Sequence, residues 1–430
     1  MNLVGGECIS RSMCSDVLKT LPGRIAETLQ KPYLDPALVV EACHALSQQL
    51  QAEAHEPLLT AMGIPAPLAR AYIADAKWML SREYLQHKLE TELGRGYGAP
   101  IRYQPAGYDQ TVTEQQLPLG VLFHIAAGNM DGLPVFTVIE GLLTGNINLL
   151  KLPAQEGGLS VQILRELIKL QPLLSEYIYV FDISSKDREE MQALAEVADA
   201  VVVWGGDAVI EAVRAMAKPN TKMIEWGHKV SFAYVSGADL SEEALSGIAE
   251  NICSTNQLLC SSCQGIFVDT DSMEEVERFG MRFLPILEKM AAAHPHEMGI
   301  GVSAQVGLRL YTEQLESLFQ GARVFKGKDC SMLAYPDSAL DTAILFRNGW
   351  IKRLPRERII PTLHPYKNRL QTVGLLCPSA DRQMLSDCFF RAGAVRVTDG
   401  RHMSRTYRGA AHDGEYPLRR YTKIATLEQG

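Results

Sequence analysis

Apolar and polar positions along the chain follow two rhythms. Residues 12–93 carry apolar residues at helical spacing, most plainly in Pro36–Leu50 and Pro67–Leu89, and predict helices. Tyr97–Leu117 alternates only weakly and is rich in Gly, Pro, Tyr, Thr and Gln, which predicts an extended arm or a linker. From Leu119 onward, short apolar runs alternate with amphipathic stretches. Leu119–Ala126, Asn148–Leu152, Tyr177–Phe181, Ala200–Trp204 and Thr221–Trp226 predict strands. Leu133–Leu143, Leu159–Leu170, Lys186–Glu196 and Ala208–Ala217 predict the helices between them. The strands are apolar on both faces, as strands covered by helices on both sides must be. The predicted fold class is therefore α/β, with a parallel, doubly wound sheet and right-handed crossovers.

After Lys229 a second alternation starts. Ser231–Ser236 and Gln264–Asp269 predict strands, and Ser241–Ser254 and Met273–Ala293 predict helices. Four regions follow: a helical part over 1–100, a nucleotide-binding domain over 101–229, a second α/β domain over 230–394, and a tail over 395–430 that returns to the first lobe or to an oligomer interface.

Composition narrows the class. Apolar residues at 47% and charged residues at 21% describe a folded chain rather than a disordered one. A net charge of -8 gives no broad basic face for nucleic acid. Met1–Lys19 lacks the apolar core of an export signal, and no run approaches a membrane span, so a cytoplasmic location is expected. Nine scattered cysteines read as reduced thiols.

Candidate chemistry clusters at the strand ends. His124-Ile125-Ala126-Ala127-Gly128-Asn129 leaves the first strand toward a helix, where backbone N–H groups meet a ligand or simply close a turn. Lys151 ends the second strand, where its point charge reaches a nucleotide ribose or phosphate or else lies on the surface. Gly205-Gly206 precedes a helix N-terminus, favourable for a phosphate, although Asp207 as an N-cap explains the same residues. Glu225-Trp226-Gly227-His228-Lys229 offers a Glu and a His for general base work, or a salt bridge at Glu225.

The segment Asn256-Gln257-Leu258-Leu259-Cys260-Ser261-Ser262-Cys263 lies between a helix and a strand. Cys260 there is a candidate nucleophile. The CxxC spacing also allows a redox pair or an inert buried pair. A zinc site lacks the second ligand pair it needs, so no metal is expected.

Taken in order, Asn129, Lys151, Gly205-Gly206, Glu225-Trp226-Gly227-His228-Lys229 and Gln257-Leu258-Leu259-Cys260 resemble the aldehyde dehydrogenase superfamily. The closer likeness is to its acyl-CoA reductase branch, the reductase of the bacterial luminescence fatty-acid reductase complex and its relatives. Gly227-His228-Lys229 in place of Gly-Gly-Lys, Cys260-Ser261-Ser262, and the tail His412-Asp413-Gly414-Glu415-Tyr416-Pro417-Leu418 carry that likeness. Two features depart from the wider superfamily. Gly128-Asn129 stands where Trp-Asn is usual, and no Glu-x-Phe-Gly-Pro element is visible.

The resemblance implies an aldehyde-dehydrogenase-like fold and a long-chain acyl-CoA reductase. Cys260 would carry the acyl group as a thioester. Asn129 and the Cys260 N–H would hold the oxyanion, and Glu225 or His228 would move protons. Ile125, Ala126, Ala127, Lys151, Gly205, Gly206 and Gly227 would bind the nicotinamide cofactor. Ala154, where NAD-preferring relatives often carry Glu, points to NADPH rather than NADH. A homo-oligomer is implied, with an acyl-protein synthetase and an acyltransferase as partners. The alternatives are a CoA-acylating aldehyde dehydrogenase running oxidatively, or a non-catalytic or thiol-redox subunit.

Overall fold

The computed structural model describes every residue except 62–65, 127–132, 154–157, 238–239, 297 and 430. The chain divides into two units, Met1–Gly227 with Arg408–Gly430, and His228–Tyr407.

The first unit is built on a seven-stranded sheet. Its strands are β1 (Asn2–Val4), β2 (Glu7–Ile9), β5 (Val121–Ile125), β6 (Ile147–Lys151), β7 (Ile178–Phe181), β8 (Ala200–Trp204) and β9 (Lys222–Trp226). Two further strands, β3 (Ile101–Tyr103) and β4 (Thr111–Pro118), lie apart from it. The sheet order is β2-β1-β7-β6-β5-β8-β9. Strands β5 to β9 are parallel, and β5, β6, β7 and β8 are buried along their whole length, as their apolar composition requires.

The helical region 12–93 forms five helices. Asp35 starts one by accepting from Ala37 N, with Pro36 at the first helical position. The single helix expected over Pro67–Leu89 is broken in two. Helix Ala66–Met79 ends, and Ser81 caps a new one, Arg82–Leu93, by accepting from Tyr84 N. The sequence also hid the first hairpin. Strands β1 and β2 have three residues each, too few for a periodic signal, and β1 is set by pairing antiparallel with β7.

The second unit carries β10 (Val230–Val235), β11 (Cys263–Val268), β12 (Arg323–Lys326), β13 (Ser331–Tyr335), β14 (Asn348–Arg353), β15 (Leu370–Leu376) and β16 (Arg396–Thr398). Their order is β12-β13-β14-β11-β10-β15-β16, parallel except for β12. Helices Glu242–Thr255 and Met273–Ala293 bury their apolar faces in one of its two cores. Residues 395–407 stay with this unit because β16 pairs with β15.

The chain then returns to the first unit. β17 (Thr422–Gln429) pairs antiparallel with β4 along its whole length, and β3 completes a three-stranded sheet. The return is anchored by buried charge. Lys88 Nζ lies 2.6 Å from Glu92 and 3.0 Å from Glu140, while Glu92 accepts from Leu418 N at 2.8 Å.

A fully buried imidazole joins three parts of this unit. His124 on β5 donates from Nε2 to Asn148 Oδ1 at 2.9 Å, because that oxygen only accepts. Its Nδ1 then accepts from Thr137 Oγ1 at 2.9 Å, and Tyr421 OH lies 3.4 Å from the same hydroxyl. Asn148 fits because Gly141 has no side chain; a Cβ there would stand 1.8 Å from Asn148 Oδ1.

Burial lowers the His124 pKa to about 4, against a smaller opposing effect of the Asn148 bond. The unfolded chain takes a proton near pH 6.5, which the folded chain refuses until about pH 4. Stability contributed by the neutral ring is therefore lost as pH falls through that window, by about 3 kcal/mol in all. Urea unfolding at a series of pH values should show this slope in the wild type and its loss in His124→Gln. Equal slopes in both proteins would remove His124 as the cause.

Candidate active site

In the first unit, the strand order reverses at β5. The chain runs from β5 to β6 and β7 on one side, then places β8 and β9 on the other. Doubly wound sheets bind nucleotides at the carboxyl ends of strands beside such a reversal. The residues read from the sequence as cofactor-binding gather there. Ile125 pairs with Lys151 and with Val203, so the ends of β6, β5 and β8 are level. Ala126 follows β5, Gly205-Gly206 follows β8, and Gly227 follows β9. Ala127 and Asn129 lie outside the described residues, as does Ala154.

Lys151 is 6% exposed, and burial lowers its pKa below that of an ordinary lysine, with Asp182 opposing the shift. An ammonium drawn out of water at a strand end is poised to gain from an anionic or hydroxyl-bearing ligand. Helix Asp207–Met216 begins at Gly206, whose lack of a side chain leaves the helix N-terminus open: a Cβ there would meet nothing within 4 Å. These features fit the phosphates and ribose of a dinucleotide.

Glu225 is engaged differently from what a general base requires. Both of its carboxylate oxygens accept from Arg214, on helix Asp207–Met216. The structure thus realises the salt bridge that the sequence left as the plainer option. Trp226 stacks on Trp204 at 5.2 Å, and His412 lies edge-on to both rings. His228 opens the second unit and is exposed.

In the second unit, the cysteine loop joins helix Glu242–Thr255 to the amino end of β11. Asn256 and Gln257 hold the loop's first bend with φ of 49° and 63°, the left-handed region that L-residues avoid. Gln257 is 1% exposed. Its Nε2 donates to Cys263 O at 3.0 Å, and its own carbonyl accepts from Gln264 Nε2 at 2.9 Å. Farther along, Ser262 Oγ accepts from Leu259 N at 3.1 Å, and Asn251 Oδ1 accepts from Cys263 N at 2.8 Å.

This clamp separates the two cysteines. Cys263 is the first residue of β11 and is fully buried. Its thiol donates to Gly265 O at 3.2 Å, and burial pushes its pKa up to about 12. Cys260 sits at the turn and is half-buried. Its sulfur accepts from Gln371 Nε2 at 3.2 Å, and its carbonyl accepts from Ser231 Oγ at 2.7 Å. Gln371 and Ser231 stand near the amino ends of β15 and β10, and β10 lies between β15 and β11. Neither was marked in the sequence, and a lone Gln or Ser inside an apolar strand carries no spacing signal.

Among the described residues, no group of three or more His, Cys, Asp or Glu is placed to hold a metal ion. Among them, too, no helix is long and apolar enough to cross a membrane.

Known proteins extend the picture. Solved aldehyde dehydrogenases share the fold. Lactaldehyde dehydrogenase from Escherichia coli superposes with a TM-score of 0.69 at 15% identity, covering 98% of this chain and 92% of that one. An NADP-dependent glyceraldehyde-3-phosphate dehydrogenase from Bacillus halodurans, complexed with NADP, gives 0.71 at 14% identity, covering 100% and 95%. At the sequence level, the chain is similar to the long-chain acyl-protein thioester reductase of Aliivibrio fischeri, 25% identical over 323 residues. That match covers 73% of this chain and 64% of the relative's length. The enzyme of the same description from Vibrio harveyi is 24% identical over 388 residues, covering 86% and 77%. The sequence profile of one family spans residues 37–424, and the chain belongs to that family, acyl-CoA reductase (LuxC).

Proposed function

We propose that this chain reduces a long-chain acyl thioester to the aldehyde, carrying the acyl group on Cys260. The observation that carries the proposal is the contrast within the family-matched segment. The sulfur of Cys260 is half-buried and receives an N–H, while that of Cys263 is sealed in the core. Relatives named as acyl-protein thioester reductases support the reaction class.

The Cys260 thiolate attacks the acyl carbon of a CoA or protein thioester, and the donor thiolate leaves. The Asn129 side chain and the Cys260 N–H steady the oxyanion in this reading. NADPH, when bound, supplies the hydride that takes the acyl carbon to the aldehyde level. Lys151 holds the adenosine ribose or its 2′-phosphate. Ile125, Ala126, Ala127, Gly205, Gly206 and Gly227 bring backbone close to the dinucleotide. The proton goes to or from His228 in preference to Glu225, because Arg214 already occupies both oxygens of Glu225. Collapse of the tetrahedral adduct then breaks its C–S bond and returns the electron pair to sulfur. An acyl-protein synthetase and an acyltransferase are the partners this chemistry calls for, since they make and deliver acyl thioesters.

The test is to mix the purified protein with acyl-CoA thioesters of increasing chain length. Intact mass should show an acyl adduct. Adding NADPH should discharge it, with loss of nicotinamide absorbance and appearance of aldehyde. NADH in a parallel arm reads the cofactor preference. No adduct at any chain length, with no cofactor consumed, would sink the proposal.

A further inference from the structure

The contact between Gln371 and Cys260 joins a strand to a loop far from it in the chain, and it ends on the sulfur proposed to react. Gln371 is 8% exposed, on a parallel strand paired on both sides, so its side chain has few alternative positions. Its Nε2 stands 3.2 Å from Cys260 Sγ. Its Oε1 lies 3.4 Å from Ser231 Oγ. Ser231 is itself fully buried, accepts from Thr372 N at 3.0 Å, and donates to Cys260 O at 2.7 Å. The single proton of Ser231 goes to the nearer acceptor, so the serine steadies the main chain of the nucleophile and packs beside the amide that faces its sulfur.

An amide N–H donated to sulfur stabilises the thiolate more than the thiol, because a hydrogen bond to an ionised acceptor is roughly twice as strong. We propose that Gln371 is a catalytic residue whose N–H stabilises the Cys260 thiolate, with Ser231 positioning the main chain of Cys260 against it. The inference rests on the reading of Cys260 as the nucleophile. The stabilisation acts twice in the reaction. Before attack, it raises the fraction of Cys260 present as thiolate. After hydride delivery, it receives the electron pair that returns to sulfur as the C–S bond breaks and the aldehyde departs.

The experiment follows alkylation of Cys260 by iodoacetamide across pH, read by peptide mass, without acyl substrate or cofactor. In Gln371→Met, a neutral side chain of similar length, the apparent thiol pKa should rise by about 1 to 2 units. Below the wild-type pKa, alkylation should slow about 3- to 16-fold, the loss of thiolate outweighing its greater nucleophilicity. At alkaline pH the limiting rate should instead rise about threefold per unit, since a more basic thiolate is a better nucleophile. Simple loosening of the fold does not produce that crossing of the two profiles. Gln371→Glu, which sets a carboxylate against the sulfur, should shift the profile farther, and Ser231→Ala should shift it less.

Profiles of Gln371→Met and Gln371→Glu that superpose on the wild type would overturn the proposal, whatever happens to turnover. Should Gln371→Met fail to fold, the isosteric Gln371→Glu decides alone. The nucleophile reading fails on a different result, an acyl adduct that survives in Cys260→Ala, so the two failures are distinguishable.

Discussion

Cys260→Ala is expected to abolish the acyl adduct and to lower single-turnover aldehyde formation by about 10⁴-fold or more, the scale seen when a covalent nucleophile is removed. Cys263→Ala should keep the adduct and most of the turnover. The contrast follows from the loop. Cys263 lies at the head of β11 with no exposed surface, donates its proton to Gly265 O, and has a thiol that stays neutral well above pH 7. Removing that sulfur costs packing and leaves the chemistry in place. Several other cysteines are also poor candidates. Burial pushes the thiols of Cys43 and Cys330 up to about 12 and that of Cys253 up to about 11. Intact mass after acyl-CoA, followed by quenched single turnover, checks both variants. If the adduct remains in Cys260→Ala, or vanishes in Cys263→Ala with the fold intact, the assignment is wrong. A thiol-redox pair would need both sulfurs, so loss of activity in both variants would favour that alternative.

The sequence displayed the parallel sheets because burial on both faces demands unbroken apolar runs. Ala200–Trp204 reads as a strand from Val201, Val202 and Val203 alone, and its observed bounds are the same. The turns at the strand ends were equally visible, since Gly205-Gly206 and Gly227 directly follow apolar runs. Polar groups inside strands were not visible. Gln371 acts on a residue 111 positions away, and Ser231 on one 29 away, so neither leaves a local pattern. Short or exposed strands were lost for another reason. β17 is exposed over most of its length, and only pairing with β4 makes it a strand. A salt bridge at Glu225 was foreseen, but not its partner Arg214, because a helix and the next strand had to be placed before the two charges could meet.

Arg347→Met is expected to destabilise the second unit by about 2 to 4 kcal/mol, because a buried side chain that satisfies three acceptors is removed. The guanidinium is buried at 4% exposure and donates to Asn256 Oδ1 at 3.0 Å, Ala291 O at 3.3 Å and His294 O. Without it those oxygens lose a donor away from water, each at about 1 to 3 kcal/mol before relaxation. The same side chain helps to hold a strained stretch of backbone. Leu345, Phe346 and Arg347 have φ of 76°, 49° and 71°, and they stand against Asn256 and Gln257, which are left-handed too. Phe346 N donates to Asn256 O at 2.9 Å, so the two strained turns brace each other. Five consecutive or facing residues in this region persist only while their surroundings hold them. Arg347→Lys should recover less than half of the loss, because one ammonium does not span the acceptors that a planar guanidinium reaches. Urea unfolding measures both variants. Because Asn256-Gln257 begins the loop that presents Cys260, the same variants should also broaden the pH dependence of Cys260 alkylation. An unfolding free energy for Arg347→Met within about 0.5 kcal/mol of the wild type, the scatter of ordinary surface substitutions, would show that the loop is held by something other than this side chain.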